Sequence, residues 1–218
     1  FSNKFKENFW PYTMELGRSF VQPLYQPNVN RKKGIYALDN LWDGLGSMVV
    51  DHPGMKYFFG KMTMYPSFNR KARDLILYFI EKHFPDEEKL VTSNYPVNLE
   101  SDTRELKNIL TAENYKEDYK ILNTSVRALN EYVPPLITAY MNLSSTMKSF
   151  RTALNAAFGD VEETGIMITV EDVFEENLKV INGKIGTARY SLPYRVMSKK
   201  TSSSKGMVEL GGIEPPTS

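Results

Sequence analysis

The chain has no cysteine and only two histidines among its 218 residues. The first absence excludes disulfide scaffolds, thiolate zinc sites and cysteine nucleophiles. The second excludes a three-histidine metal centre, and a Ser-His-Asp triad would have to use His52 or His83. No bound metal is expected. Long apolar runs are also missing: the longest, Leu75-Ile-Leu-Tyr-Phe-Ile80, falls far short of the ~20 residues a membrane-spanning helix needs. Net charge is nearly absent, with 27 basic and 26 acidic side chains. The chain starts at Phe1 without a signal-peptide pattern, which leads us to expect further sequence upstream.

The balance of charge hides an asymmetry. Residues 1–84 hold 12 basic and 7 acidic side chains, and the remainder 15 and 19. A basic front half attracts anions such as phosphates or an acidic protein, although solvated surface charge is the commoner cause of such an excess. The one dense basic cluster, Arg31-Lys32-Lys33, is short and has no nucleic-acid motif around it, so nucleic acid is not an expected partner.

Hydrophobic periodicity predicts an α/β chain. Residues 12–22 read as a strand entering a loop. Leu38, Leu41, Trp42, Leu45, Met48 and Val49 form one helical stripe closed by His52-Pro53-Gly54, and residues 55–65 read as a second strand. Ser67 is the expected cap of the next helix, whose buried face is Ala72, Leu75, Ile76, Phe79 and Ile80. Strand, helix, strand, helix predicts a βαβ unit with two parallel neighbouring strands. Further helices are expected over 101–110 and 113–132, the latter with Tyr115, Tyr119, Leu122, Val126 and Leu129 on its core stripe. Strands are expected over 136–143 and 164–170. Beyond about residue 197 the chain is polar and of low complexity, which predicts a disordered tail over 197–218. Its last residues resemble a peptide that recurs in conceptual translations through structural-RNA genes.

Three constellations could carry chemistry. In Glu15-Leu-Gly-Arg-Ser19, strand alternation puts Glu15 and Ser19 on one face and Arg18 on the other. Charges inside an apolar strand are costly unless paired or functional. Glu15 and Arg18 are therefore either a structural or edge-strand pair, or a base with an anion or carbonyl binder. Arg31-Lys32-Lys33-Gly34 precedes a helix, whose N-terminal N–H groups attract anions; the loop is either merely solvated or a phosphate cradle. In Leu38-Asp-Asn-Leu-Trp-Asp-Gly-Leu-Gly46, Asp39 and Asp43 repel across one helical turn and each glycine costs about 1 kcal/mol relative to alanine. Either the glycines pack closely against a strand, or the aspartates recognise a cation.

Taken in order, Glu15-Leu-Gly-Arg-Ser-Phe-Val21, Pro23, Tyr25, the 38–46 run, Tyr57-Phe-Phe-Gly60, Pro134-Pro135-Leu-Ile-Thr-Ala-Tyr140 and Gly159-Asp-Val-Glu-Glu-Thr164 resemble the GNAT-fold acyltransferases that make N-acylated amino-acid lipids. These are the ornithine- and glycine-lipid N-acyltransferases, often labelled hemolysin-like in bacterial genomes. The likeness covers about residues 10–195, and the Glu-x-x-Arg pattern is also similar to that of acyl-homoserine-lactone synthases.

The resemblance implies a partial GNAT domain over 1–196, a mixed sheet flanked by helices, whose N-terminal strands are expected to precede Phe1. It implies transfer of a fatty or 3-hydroxyacyl group from the phosphopantetheine thioester of acyl carrier protein to the α-amino group of ornithine or glycine, with no permanently bound cofactor. Acyl-CoA is the alternative donor, and a noncatalytic membrane-active protein the alternative class. Glu15 and Arg18 are then catalytic, and Ser19, Arg31, Lys32, Lys33 and Gly34 hold the donor. Charge complementarity, not the resemblance, assigns Asp39, Asp43 or Glu162 to the acceptor amine, and Trp42 is expected at the same substrate-binding site. The location implied is cytoplasmic, with peripheral contact at the inner membrane.

Overall fold

The computed structural model describes residues 1–17, 23 and 37–173, and for 37–43 the backbone only. The expected domain end at 196, the tail over 197–218, and Arg18, Ser19, Arg31, Lys32, Lys33 and Gly34 lie outside the described residues.

Four strands form one mixed sheet. They are β1 (Thr13–Leu16), β2 (Tyr57–Met64), β3 (Lys148–Asn155) and β4 (Val161–Thr169), in the order β1-β2-β4-β3. β1 and β2 are parallel, with α2 (Ala37–Asp51) between them, as the βαβ reading expects. β4 runs antiparallel to both β2 and β3. This is an α/β fold with a mixed four-stranded sheet flanked by helices, the architecture that the resemblance implied. The segment around Pro96 covers the outer edge of β3, where Leu154 N–H donates to the Tyr95 carbonyl at 3.0 Å and Val97 N–H to the Thr152 carbonyl at 3.0 Å. β1 has no strand on its outer side among the described residues.

Alternation along β2 separates the two faces. Phe58, Met62 and Met64 are buried against α3 (Arg70–His83), α5 (Tyr115–Ala128) and α6 (Pro135–Met141), where Leu75, Ile76, Phe79, Leu122, Val126 and Ile137 complete the main core. The α3 residues are the five predicted, but the cap is Asn69 instead of Ser67. Ser67 is used inside a turn closed by Phe68 N–H on the Tyr65 carbonyl, so the helix starts two residues later, with Asn69 Oδ1 accepting from Ala72 N–H at 3.1 Å.

The opposite face carries α1 (Asn3–Asn8), which was not foreseen; its Phe5 is buried with Leu90, Phe150 and Met167, flanked by Phe9, Tyr57 and Phe59. Residues 135–141 are helical instead of the expected strand. Proline is well suited to a first helical turn, and Ile137, Tyr140 and Met141 bury one helical stripe. α4 (Thr103–Ile109) lies within its predicted span, and α5 stops four residues early because Asn130 adopts a left-handed conformation, φ 60°.

Candidate active site

The parallel pair ends unequally. Pairing stops at Leu16 with Gly60, while β2 continues to Met64. Among the described residues, positions 61–64 therefore have a strand partner on the β4 side only, and none of those residues pairs with their other edge. N–H groups on such an edge are donors in search of an acceptor.

Glu15 pairs with Phe59 and shares the α1 face with Tyr57 and Lys61, whereas Met14 and Leu16 pack into the core behind. The Glu15 side chain is exposed. Lys61, the next β2 residue on this face, donates from Nζ to Glu163 Oε2 at 3.2 Å, and Asn155 Nδ2 donates to the same oxygen at 3.2 Å. Phe59 and Phe150 stack with ring centroids 5.8 Å apart. They cover Gly165, the β4 partner of Lys61, so closely that a Cβ there would lie 3.2 Å from Phe150 Cδ2.

On the core side, Tyr140 reaches the same point from behind. A Cβ on Gly60 would lie 3.0 Å from Tyr140 Oη, so only glycine lets the phenol approach the strand. Burial raises the Tyr140 pKa above the ordinary value, which keeps the hydroxyl protonated and able to donate. The sequence contained this residue within Pro134-Pro135-Leu-Ile-Thr-Ala-Tyr140, but reading the run as a strand hid its direction. Lys61 was missed because a lone lysine in a strand carries no signal until the register shows its neighbours.

Glu162 lies elsewhere. It pairs with Met64, on the core side of the sheet and four residues along β2 from Gly60, so the fold does not bring it to Glu15. Its carboxylate is ion-paired with Arg70, and at 3.4 Å with Arg73 Nε. Arg73 is fully buried and also contacts Asp74 Oδ1 at 3.0 Å and Glu100 Oε1 at 2.8 Å. Asp74 Oδ2 accepts from the N–H groups of Glu100 and Ser101. The cluster ties the start of α3 to β4 and to the 98–101 loop. Asp39, Trp42 and Asp43 stand on the α2 backbone, with side chains outside the description. A Cβ on Gly44 would meet nothing within 4 Å among the described residues.

The histidine chemistry left open by composition is also settled in part. His83 Nε2 is 2.7 Å from Asp118 Oδ2, which accepts from Lys82 Nζ at 2.8 Å. Lys82 further donates to the Leu110 and Ala112 carbonyls. This cluster around the buried Asp118 pins the end of α3 to the α4–α5 connection, and no serine hydroxyl among the described residues bonds His83. No group of three or more His, Asp or Glu side chains able to hold a metal occurs among the described residues, nor is any helix among them long and apolar enough to cross a membrane.

Comparison with known proteins decides the class of chemistry to consider. The chain is 56% identical over 176 residues to the glycine N(alpha)-acyltransferase of Phocaeicola vulgatus, which covers 81% of this chain and 54% of the relative. It is homologous to acyltransferases. The glycine N(alpha)-acyltransferase of Bacteroides thetaiotaomicron is 54% identical over 176 residues, 81% of this chain and 52% of the relative. The chain thus spans about half the length of these curated relatives. No family model matches it, and no solved structure does.

Proposed function

We propose that the chain is the part of an N-acyltransferase that carries out acyl transfer from a thioester to the α-amino group of glycine or another small amino acid such as ornithine. The observation that carries this reading is the parting of β1 from β2 at Gly60, with Glu15 on one face and the protonated Tyr140 hydroxyl on the other, in a chain so similar to two glycine N(alpha)-acyltransferases.

In the proposed reaction Glu15, directly or through a water, takes a proton from the acceptor ammonium. The freed amine attacks the thioester carbonyl. Negative charge builds on the carbonyl oxygen, for which this β2 edge offers N–H donors. The nitrogen gives up its second proton to solvent as the C–S bond breaks and the amide forms, and Tyr140 supplies the proton that the departing thiolate needs, regaining one from solvent.

Arg18 orients the carbonyl or an anion beside it, and Ser19 with the Arg31, Lys32, Lys33 and Gly34 loop holds the donor's phosphate ahead of α2. Acyl carrier protein, an acidic partner that suits the basic front half, is the proposed donor, and the product is an aminolipid precursor. Asp39, Trp42 and Asp43 are kept as acceptor contacts. Glu162, already committed to two guanidinium groups, is assigned to bracing α3 in place of amine recognition.

Incubation of the protein with acyl carrier protein or CoA thioesters plus glycine or ornithine, read by mass spectrometry, tests this. The reading expects an N-acyl amino acid, formed faster from the carrier-protein thioester. Faster turnover with acyl-CoA would reassign the donor, and membrane leakage without acyl transfer would favour a noncatalytic membrane-active protein.

A further inference from the structure

We propose that Lys61 is the anchor for the acceptor's carboxylate, so that the acceptor is a free, zwitterionic amino acid. The inference rests on the acyl-transfer reading and adds a specificity-determining residue to the same site.

Register supplies the first argument. Glu15 pairs with Phe59, so Lys61 is the next side chain on Glu15's own face, about 8 Å away between Cα atoms for neighbouring strands two residues out of step. Two long side chains at that separation converge on a ligand whose ammonium and carboxylate are one carbon apart. Lys61 is also the first β2 residue beyond the segment paired with β1, beside the place proposed for the thioester carbonyl.

Its environment supplies the second. The Lys61 side chain is 43% exposed, while Glu163, to which it donates, is 16% exposed. Glu163 is itself held by Asn155. The ammonium is thus steadied from the buried side and keeps further N–H donors directed outward. On the inner side the stacked Phe59 and Phe150 rings close over Gly165. These rings set an apolar surface beside Glu15, Lys61 and Glu163 on the same face, which favours a charge-assisted hydrogen bond there.

The test is steady-state kinetics on the full chain at saturating acyl donor, comparing glycine with glycinamide, which lacks the carboxylate. Loss of a hydrogen bond to a charged group predicts that Lys61→Met raises KM for glycine roughly ten- to a hundredfold with kcat changed less than about threefold. KM for glycinamide should stay where it was, so the preference for glycine collapses, and Lys61→Arg should restore most of it. Lys61→Gln provides a second neutral variant should the methionine protein fail to fold. If the wild type acylates glycine and a folded neutral variant keeps both its KM and its preference over glycinamide, Lys61 is a cross-strand ion pair only and the inference falls alone. If the wild type acylates neither acceptor from either donor, the acyl-transfer reading falls and takes this inference with it.

Discussion

The two faces of the sheet solve opposite problems. The helix-covered face buries Phe58, Met62, Met64, Ile166 and Ile168 under α3, α5 and α6, and even its charged groups, Arg73, Asp74 and Glu162, are nearly or wholly out of water. The α1 face has only a small aromatic cluster around Phe5 and leaves Glu15 and Lys61 in contact with solvent. Ion pairs on the first face are structural because a lost partner strands a buried charge. The Lys61–Glu163 pair on the second is partly exposed and holds the fold only weakly.

Replacing one ion-pair partner on each face gives the sharpest contrast. Arg73→Met leaves the buried Asp74 without its guanidinium and Glu162 with Arg70 alone, and should cost about 3–5 kcal/mol. Lys61→Met removes an exposed partner and should cost less than about 1 kcal/mol. Urea unfolding of both variants checks the difference, and similar losses would erase the distinction between the faces.

Shape comes next. Gly60→Ala places a methyl against Tyr140 Oη at 3.0 Å and should destabilise by about 1–3 kcal/mol, measured by the same unfolding curves. Transfer activity should fall more than stability predicts, because the phenol is pushed from the point where β1 and β2 part.

The smallest effect is on pH. The buried Tyr115 hydroxyl has no hydrogen-bond partner, and burial, then the charge of Tyr119, pushes its pKa up to about 12 from 10.0. A folded-state pKa above the unfolded one means this contribution is complete below pH 10 and is lost as pH rises toward 12. Melting temperature should therefore drop across that window, and Tyr115→Phe should flatten part of the drop while leaving stability at pH 7 unchanged or slightly higher.

Much of the fold was readable where one periodicity dominated. The α2 and α3 stripes, the β2 and β4 strands and the parallel βαβ unit follow from apolar spacing alone. β3 was not readable because its buried face includes Ser149 and Thr152, polar residues satisfied only by distant partners: Ser149 Oγ donates to the Phe84 carbonyl and Thr152 pairs with Thr164 at 2.7 Å. A register shift between Ser149 and Thr152 further breaks the alternation. α1 buries only Phe5, too little for a pattern.

The site was readable only in part. Glu15 stands out as a charge in a short apolar strand, but Tyr140 and Lys61 gain meaning through Gly60 and through the pairing of Glu15 with Phe59. Glu162 illustrates the converse: charge complementarity suggested an amine contact, and the fold alone shows that its neighbours include two arginines.

The central claim is that acyl transfer occurs where β1 and β2 part, with Glu15 as the base. Its most direct test is the rate of N-acylglycine formation by Glu15→Gln and wild type, compared by mass spectrometry at matched folded fractions with saturating donor and glycine. Loss of a general base predicts a rate lower by roughly a hundredfold or more. A Glu15→Gln protein that forms N-acylglycine at the wild-type rate would contradict the account.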